Sequence, residues 1–367
     1  MTARISCVAR QALAQELHGE KLVSQEEEDV LRKLYALGAQ QLLHTKLRDI
    51  TSGAASLFQK IDIDTPCAML TRACTRTEST SAIGIAARKE EVAKVCKFHG
   101  IGKPWLESDA KGEPNATKSG VHCLTSIKNA ERELARQKWK GRLVLLGNKI
   151  YKLASGVQVF PTGDEHGLHG DVVSLEGVRL VIAHALLNGY VMKKIDVTNA
   201  YLQAKWPSSL PRHFIQLTPE VWELLPDDKK AEVEALKAKG QRVVFEMGAC
   251  LYGHPLSGHV WIRACIDFLK TQGWEEVSPS VLRRGHCVIC VYVDDVLASG
   301  PEKELEALWD ILCETETHKG KYLSGDPEVV HDFLGCDIRK HGNTAELSMP
   351  DYTREIVSTF QKMFPDS

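Results

Sequence analysis

No stretch of this chain approaches about 18 consecutive apolar residues, so none of it reads as a membrane span. The start, Met-Thr-Ala-Arg-Ile-Ser-Cys, lacks the apolar run of a secretion signal, and no repeat recurs at a solenoid-like period. A strong charge of either sign is also missing: 46 Lys and Arg stand against 48 Asp and Glu, a formal −2. Any nucleic-acid partner must then be gripped by a local basic surface, because the whole-molecule field is too weak. The 11 cysteines lack the paired spacing of a disulfide framework, which suits reduced thiols. The expectation is an intracellular protein, cytoplasmic or nuclear, neither secreted nor membrane-bound. The sequon at Asn115 is on that reading coincidental. Cys287 and Cys290 form a Cys-x-x-Cys, but no second pair follows at finger-like spacing, so they are read as packing residues and not as zinc ligands. What is present is 43% hydrophobic and 26% charged residues over 367 positions, ample for a large core in two or three domains.

Residues 287 to 300 read Cys-Val-Ile-Cys-Val-Tyr-Val-Asp-Asp-Val-Leu-Ala-Ser-Gly. Asp294 and Asp295 sit between apolar runs too short for helices and rich in β-branched residues, the composition of strands. The expected geometry is a hairpin with both carboxylates at its tight turn, where Asp tolerates the required backbone angles. Paired acids between apolar walls are costly unless a cation neutralises them. A surface turn that happens to hold two aspartates is the bland alternative, and a third carboxylate weighs against it. Asp196, in Met-Lys-Lys-Ile-Asp-Val-Thr-Asn-Ala-Tyr-Leu, ends a strand-like piece roughly a hundred positions upstream, far enough for a crossover to bring both strands into one sheet. Carboxylates gathered in this way hold two ions about 4 Å apart in phosphoryl transfer. Oxygen-only ligands select magnesium, with manganese as a substitute.

Upstream, residues 1 to 60 read as helical, with a Ser24/Glu27 capping box and no legible chemistry. A hydroxyl-rich stretch over 71 to 82 reads as a loop, and a helix is expected over 86 to 98. The polar segment 108 to 120 is the expected domain boundary. Residues 128 to 152 carry eight Lys and Arg against Glu131 and Glu133, with Trp139 and Tyr151 interleaved. A strand over 139 to 147 there, with cationic residues at its entry, would fit a phosphate-gripping surface; a merely solvated basic face is the alternative. An apolar stripe over 174 to 188 makes a helix closed by Asn188-Gly189. Residues 219 to 240 read as an exposed, mixed-charge helical insertion. A strand over 242 to 246 leads through Leu251-Tyr252-Gly253 to a helix stopped by Gly273. His254 and His259 are taken as polar residues where that helix begins, since no second ligand set is spaced to join them. A helix over 301 to 316, a strand over 333 to 338, and a strand, turn and helix over 347 to 360 complete the chain.

Asp-Val-x-Asn-Ala-Tyr-Leu, Leu-Tyr-Gly, Tyr-Val-Asp-Asp and Phe-Leu-Gly (333 to 335) occur here in the order of a copia-type LTR retrotransposon reverse transcriptase, which the chain resembles over residues 121 to 367. The resemblance implies an α+β fold, fingers and a split βαβ palm, with residues 1 to 115 a helical extension and the thumb incomplete. It implies an RNA-directed DNA polymerase fragment of a Pol polyprotein, extending a primer on an RNA or DNA template with dNTPs. By analogy Asp196, Asp294 and Asp295 are catalytic and, with the Val197 carbonyl, hold two Mg2+ ions. Lys140 and Arg142 meet the triphosphate in the fingers, and Tyr201 is the steric gate against a 2′-hydroxyl. The family places a Gln of a Gln-Ala-Pro triplet beside the template–nucleotide pair, and Leu256 occupies that nucleotide-binding position here. That departure supports the alternative of a catalytically degenerate, retroelement-derived protein that binds nucleic acid or a partner protein. A two-metal nuclease would share the carboxylates but give no reason for Tyr201. Oligomeric state is open from sequence.

Overall fold

The computed structural model describes residues 71–130, 136–159, 172–237, 242–342 and 344–363. Of the helical extension expected over residues 1 to 115, residues 1 to 70, with the Ser24/Glu27 box, lie outside the described residues, while residues 71 to 115 contain strands as well as helices and belong to the compact unit that follows. Residues 68 to 355 form one compact unit of mixed α/β structure built on two larger sheets. Its strands begin with β1 (Thr71–Ala73), β2 (Pro104–Leu106), β3 (Thr117–Lys128), β4 (Lys138–Leu145), β5 (Ile150–Lys152) and β6 (Gln158–Val159). There follow β7 (Val191–Asp196), β8 (His213–Gln216), β9 (Val243–Glu246), β10 (Glu275–Ser278), β11 (Val281–Arg284), β12 (Cys287–Tyr292) and β13 (Asp295–Gly300). Short pieces close the series: β14 (Cys313–Glu314), β15 (Tyr322–Leu323), β16 (Glu328–Val329), β17 (Asp332–Phe333), β18 (Cys336–His341) and β19 (Thr344–Ser348). The longer helices are α1 (Ala82–Lys97), α2 (Leu175–Asn188), α3 (Asp227–Lys237), α4 (Ser257–Thr271), α5 (Glu302–Leu312) and α6 (Pro350–Met363).

The first sheet runs β2-β9-β8-β3-β5-β6, with β1 and β4 also paired to β3. β3 is long enough to serve two neighbourhoods: its first residues pair with β5 and β8, its later ones with β4 and β1. Every second residue from Val121 to Ile127 points inward, the period-2 pattern of a half-buried strand. Val92, Val95 and Cys96 of α1 bury against Val121, Cys123, Leu143 and Leu145. Three expectations are corrected here. The hydroxyl-rich 71 to 82 is not a plain loop, because β1 pairs with β3 and Thr75 and Glu78 form a capping box. The segment 108 to 120 is no break in the chain, since a short helix ends within it at Ala110 and its last residues, 117 to 120, begin β3. The charged stretch 219 to 237 is helical but not simply solvated, since Val221, Leu224, Leu225 and Val233 enter the same core.

The second sheet is antiparallel throughout, in the order β10-β11-β12-β13-β7-β16. Its central strands are buried on both faces. Ile195, Ile289, Val291, Val296 and Ala298 pack against Val260, Trp261, Cys265 and Leu269 of α4 and Leu305, Leu308 and Leu312 of α5. The alternate residues Met192, Val288, Cys290 and Leu297 pack against Val178, Val181, Ile182 and Ala185 of α2. Such two-sided burial explains why β12 and β13 read as continuous apolar runs and not as alternating ones. α2 has the expected caps, Ser174 accepting from the Gly177 N–H and Gly189 closing at φ 66. Phe333 to Ile338 is not one strand: Leu334 and Gly335, at φ 51 and 76, turn β17 into β18.

The two sheets are joined where Leu251-Tyr252-Gly253 lies along the end of β4. The Leu145 N–H donates to the Tyr252 carbonyl at 2.8 Å. Gly253 sits at φ 89, and a Cβ there would stand 2.2 Å from the Leu145 carbonyl oxygen. At Gly156, with φ 69, nothing lies within 4 Å. Gly156→Ala therefore should cost only the left-handed backbone penalty, about 1–2 kcal/mol. Gly253→Ala adds a backbone clash and should cost clearly more, at least about 3 kcal/mol, read from urea unfolding midpoints. Equal losses for the two variants would show that the close approach does not hold the sheets together.

Candidate active site

β13 pairs with β7 so that Asp295 lies directly opposite Asp196. Residues so placed have Cβ atoms about 5 Å apart, close enough for like charges to repel strongly. Tyr292 faces Asp295 from β12, on the same side of the sheet. The hairpin turn between them consists of Val293 and Asp294, so Asp295 opens the returning strand instead of sharing the turn. The positive φ, 51°, falls on Val293, a β-branched residue that pays about 1–3 kcal/mol for it. The surroundings hold that turn at both of its residues. Trp261 Nε1 donates to the Val293 carbonyl at 2.5 Å, and the Val197 N–H donates to the Asp294 carbonyl at 2.7 Å.

The three carboxylates have no neutralising partner: no described residue ion-pairs with or donates a hydrogen bond to the side chains of Asp196, Asp294 or Asp295. Partial desolvation and then Asp294 push the Asp196 carboxyl above its ordinary range, against the pull of Lys128, Lys140 and Lys194. Desolvation, Asp294 and Asp196 push Asp295 up to about 6. Lys194 is engaged elsewhere, with Asp332 at 3.0 Å and Glu328 at 3.3 Å. The Val197 carbonyl accepts no hydrogen bond from a described residue. Among the described residues no three His, Cys, Asp or Glu side chains are gathered closely enough to form a finished metal site. The donor set is nonetheless of the right chemistry for a hard divalent cation: carboxylate oxygens without a hydrogen bond from a described residue, with the proton affinity of Asp196 and Asp295 raised.

Facing this acidic corner is a cationic one. Lys140 stands opposite Ser126 and Lys138 opposite Lys128 where β4 pairs with β3. Desolvation, Lys128 and Arg142 push the Lys140 ammonium below its ordinary value. Among the described residues none of Lys128, Lys140 and Arg142 has an acidic partner, so the patch is free to take an anion. Lys128 is the member that composition alone did not single out; its place at the end of β3 brings it near Asp196. Tyr201 follows β7 in a single 3-10 turn, with its ring 4.9 Å from that of Tyr252.

Other candidates fall away from this centre. Leu256 is buried in the core with Cys250 and Val260, so its side chain is a packing group. Cys287 and Cys290 serve the cores on opposite faces of the sheet, which excludes a shared ion. His254 is buried between Trp206 and His213, ring centroids 4.7 Å from each, and its Nδ1 accepts from the Leu256 N–H at 3.2 Å. His213 in turn bonds Thr117 and Ser119 through its two ring nitrogens, at 2.8 and 2.9 Å.

A family model described as reverse transcriptase (RNA-dependent DNA polymerase) matches residues 120–363. The Retrovirus-related Pol polyprotein from transposon RE2 of Arabidopsis thaliana is 25% identical over 253 residues, 67% of this chain and 15% of that protein. The Transposon Ty1-BR Gag-Pol polyprotein of Saccharomyces cerevisiae is 24% identical over 218 residues, 57% of this chain and 11% of that protein. This chain thus spans a small part of the length of these relatives. A telomerase structure from Candida albicans, in complex with a telomeric RNA fragment, covers 69% of this chain and 48% of its own at TM-score 0.36 and 9% identity, too slight a likeness to carry an argument. No described helix is long and apolar enough to cross a membrane.

Burial drives the His254 pKa down to about 4, so the folded chain holds it neutral. Its stabilising contribution is complete above the unfolded value near 6.5 and is lost as pH falls toward 4, because the unfolded chain then binds the extra proton. Over that window His254 alone should account for roughly 2–3 kcal/mol of lost stability. His254→Gln should shrink this slope in urea titrations at stepped pH; an unchanged slope would show that the ring is solvated in solution.

Proposed function

The chain belongs to the reverse transcriptase (RNA-dependent DNA polymerase) family, of the copia-type retrotransposon kind, and from that premise we propose that it extends a nucleic-acid primer from deoxynucleoside triphosphates on an RNA template. The observation that carries this reading is the pairing of Asp196 with Asp295 beside Asp294, carboxylates with no ion-pair partner among the described residues and with Lys128 and Lys140 within electrostatic reach of Asp196. Few functions other than handling a metal-bound polyphosphate use both charges at one place. On this reading the second sheet is the palm and the first is the fingers.

In the proposed reaction the primer 3′-hydroxyl gives up its proton to solvent, its oxygen forms a bond to the α-phosphorus as the bond to the bridging oxygen breaks, and pyrophosphate leaves with that electron pair. Asp196, Asp294, Asp295 and the Val197 carbonyl would hold two magnesium ions. When bound, these ions supply charge neutralisation at the attacking and leaving oxygens. Lys140, Arg142 and Lys128 would bind and orient the triphosphate from β3 and β4. Tyr201 would sit beneath the sugar and exclude a 2′-hydroxyl by shape. The hydrogen bonds from Trp261 and Val197 would keep the Asp294 turn in a fixed position, which matters because such catalysis is largely positioning.

A second reading has one observation in its favour. Leu256, where the family has a glutamine, is a buried core residue, so the chain offers no side-chain amide at that point. A protein that binds primer–template without extending it would fit that loss.

The two readings part in a primer-extension assay on a primed homopolymer RNA template with magnesium. The polymerase reading expects extension by wild type and a fall of about a thousandfold or more in Asp294→Asn, the cost of several kcal/mol of transition-state stabilisation. Tight, magnesium-dependent template binding without extension by wild type would establish the binding protein instead, and undiminished incorporation by Asp294→Asn would exclude the carboxylate mechanism.

A further inference from the structure

Two of the groups assigned to nucleotide handling stand on different sheets, yet one side chain touches both. Arg142 belongs to β4 and Tyr201 follows β7. The Arg142 guanidinium lies over the Tyr252 ring, its Cζ 4.4 Å from the centroid. The other neighbour of that ring is Tyr201, with centroids 4.9 Å apart and planes 36° to each other. An arginine so placed is attracted by the negative face of the ring, and two tilted aromatic rings at this distance attract each other as well.

Tyr252 is itself anchored. Its carbonyl accepts from Leu145 N–H on the same strand as Arg142, and the next residue, Gly253, presses on the Leu145 backbone. On the far side the Tyr201 ring is stopped by α4: a Cβ at Gly258 would stand 3.2 Å from the Tyr201 hydroxyl oxygen. The Tyr201 ring thus lies between the Tyr252 ring and the first turn of α4. A tilt of the Tyr252 ring would change its contacts with both the Tyr201 ring and the guanidinium.

We propose that Tyr252 is a positioning residue that sets nucleotide specificity, coupling the cation that binds the triphosphate to the ring that reads the sugar. The proposal rests on the polymerase reading above. If the ring only filled space, its loss would lower incorporation of every nucleotide in parallel. If it couples the two groups, its loss changes a ratio: Tyr201 gains room to swing aside for a 2′-hydroxyl, while Arg142 loses its rest and holds the triphosphate less well.

The test measures single-nucleotide incorporation of dNTP and the matching rNTP by wild type, Tyr252→Phe and Tyr252→Leu. Tyr252→Leu should lower the deoxy-to-ribo ratio of kcat/KM about tenfold and raise the KM for dNTP, with kcat much less affected. Tyr252→Phe keeps the ring and should keep both values within about twofold of wild type. A deoxy-to-ribo ratio unchanged in Tyr252→Leu overturns the proposal while leaving the polymerase reading intact. A wild type that incorporates nothing overturns both. Should Tyr252→Leu fail to fold by circular dichroism, Gly258→Ala probes the same stack from its other side. That methyl group pushes on the Tyr201 hydroxyl and should also shift the ratio; an unshifted ratio in Gly258→Ala overturns the proposal.

Discussion

The repulsion between Asp196 and Asp295, set opposite each other on adjacent strands, is the constraint on which the rest of this fold depends. A sheet left to optimise its own stability would not pair two carboxylates without a cation between or beside them. The arrangement is held by the packing around it. β12 and β13 are buried on both faces by helices, and β7 sends Ile195 into one core and Met192 into the other, so register cannot slip by one residue without turning two cores inside out. The strained Val293 is tied down by the indole of Trp261 on one side of the turn and by the Val197 amide next to it. Strain and like-charge repulsion at one corner, compensated by packing elsewhere, is the pattern expected where a site is kept for chemistry.

The joint between the sheets has a similar logic with backbone in place of charge. The Leu251-Tyr252-Gly253 turn approaches the end of β4 so closely that a side chain at 253 has no room. That contact carries the cationic strand up to the acidic corner, and among the described residues no ion pair links the two. The separation leaves both charge sets free for a ligand carrying both signs, a polyphosphate with its metal ions.

Much of this was legible in the sequence. Caps and glycine stops gave α2, and the end of α4, within a residue or so, because capping chemistry is local. The order of the three aspartates and their strands followed from apolar runs of strand length. Other features were not legible, for reasons that are long-range. Val293 takes the left-handed position that an aspartate was expected to fill, because Trp261 and Val197 fix the turn from outside it. The polar segment 108 to 120 looked like a linker, but its last residues, 117 to 120, open the strand that holds the first sheet together, a fact set by its partners and not by its own residues. Phe333 to Ile338 looked like one strand because Leu334 hides a turn that Gly335 completes.

The sequence by itself determined the residue types that meet at the site, the strands and helices that bear them, and the absence of a dominant net charge. Those properties depend on neighbours a few positions away. Only the tertiary structure decided that Asp196 faces Asp295, that Lys128 joins the cationic patch, that Leu256 turns into the core and that Tyr252 links Arg142 to Tyr201. Each of these depends on which strands pair and in what register, and register is chosen by the burial of whole faces at once, a sum over many residues that no short stretch contains.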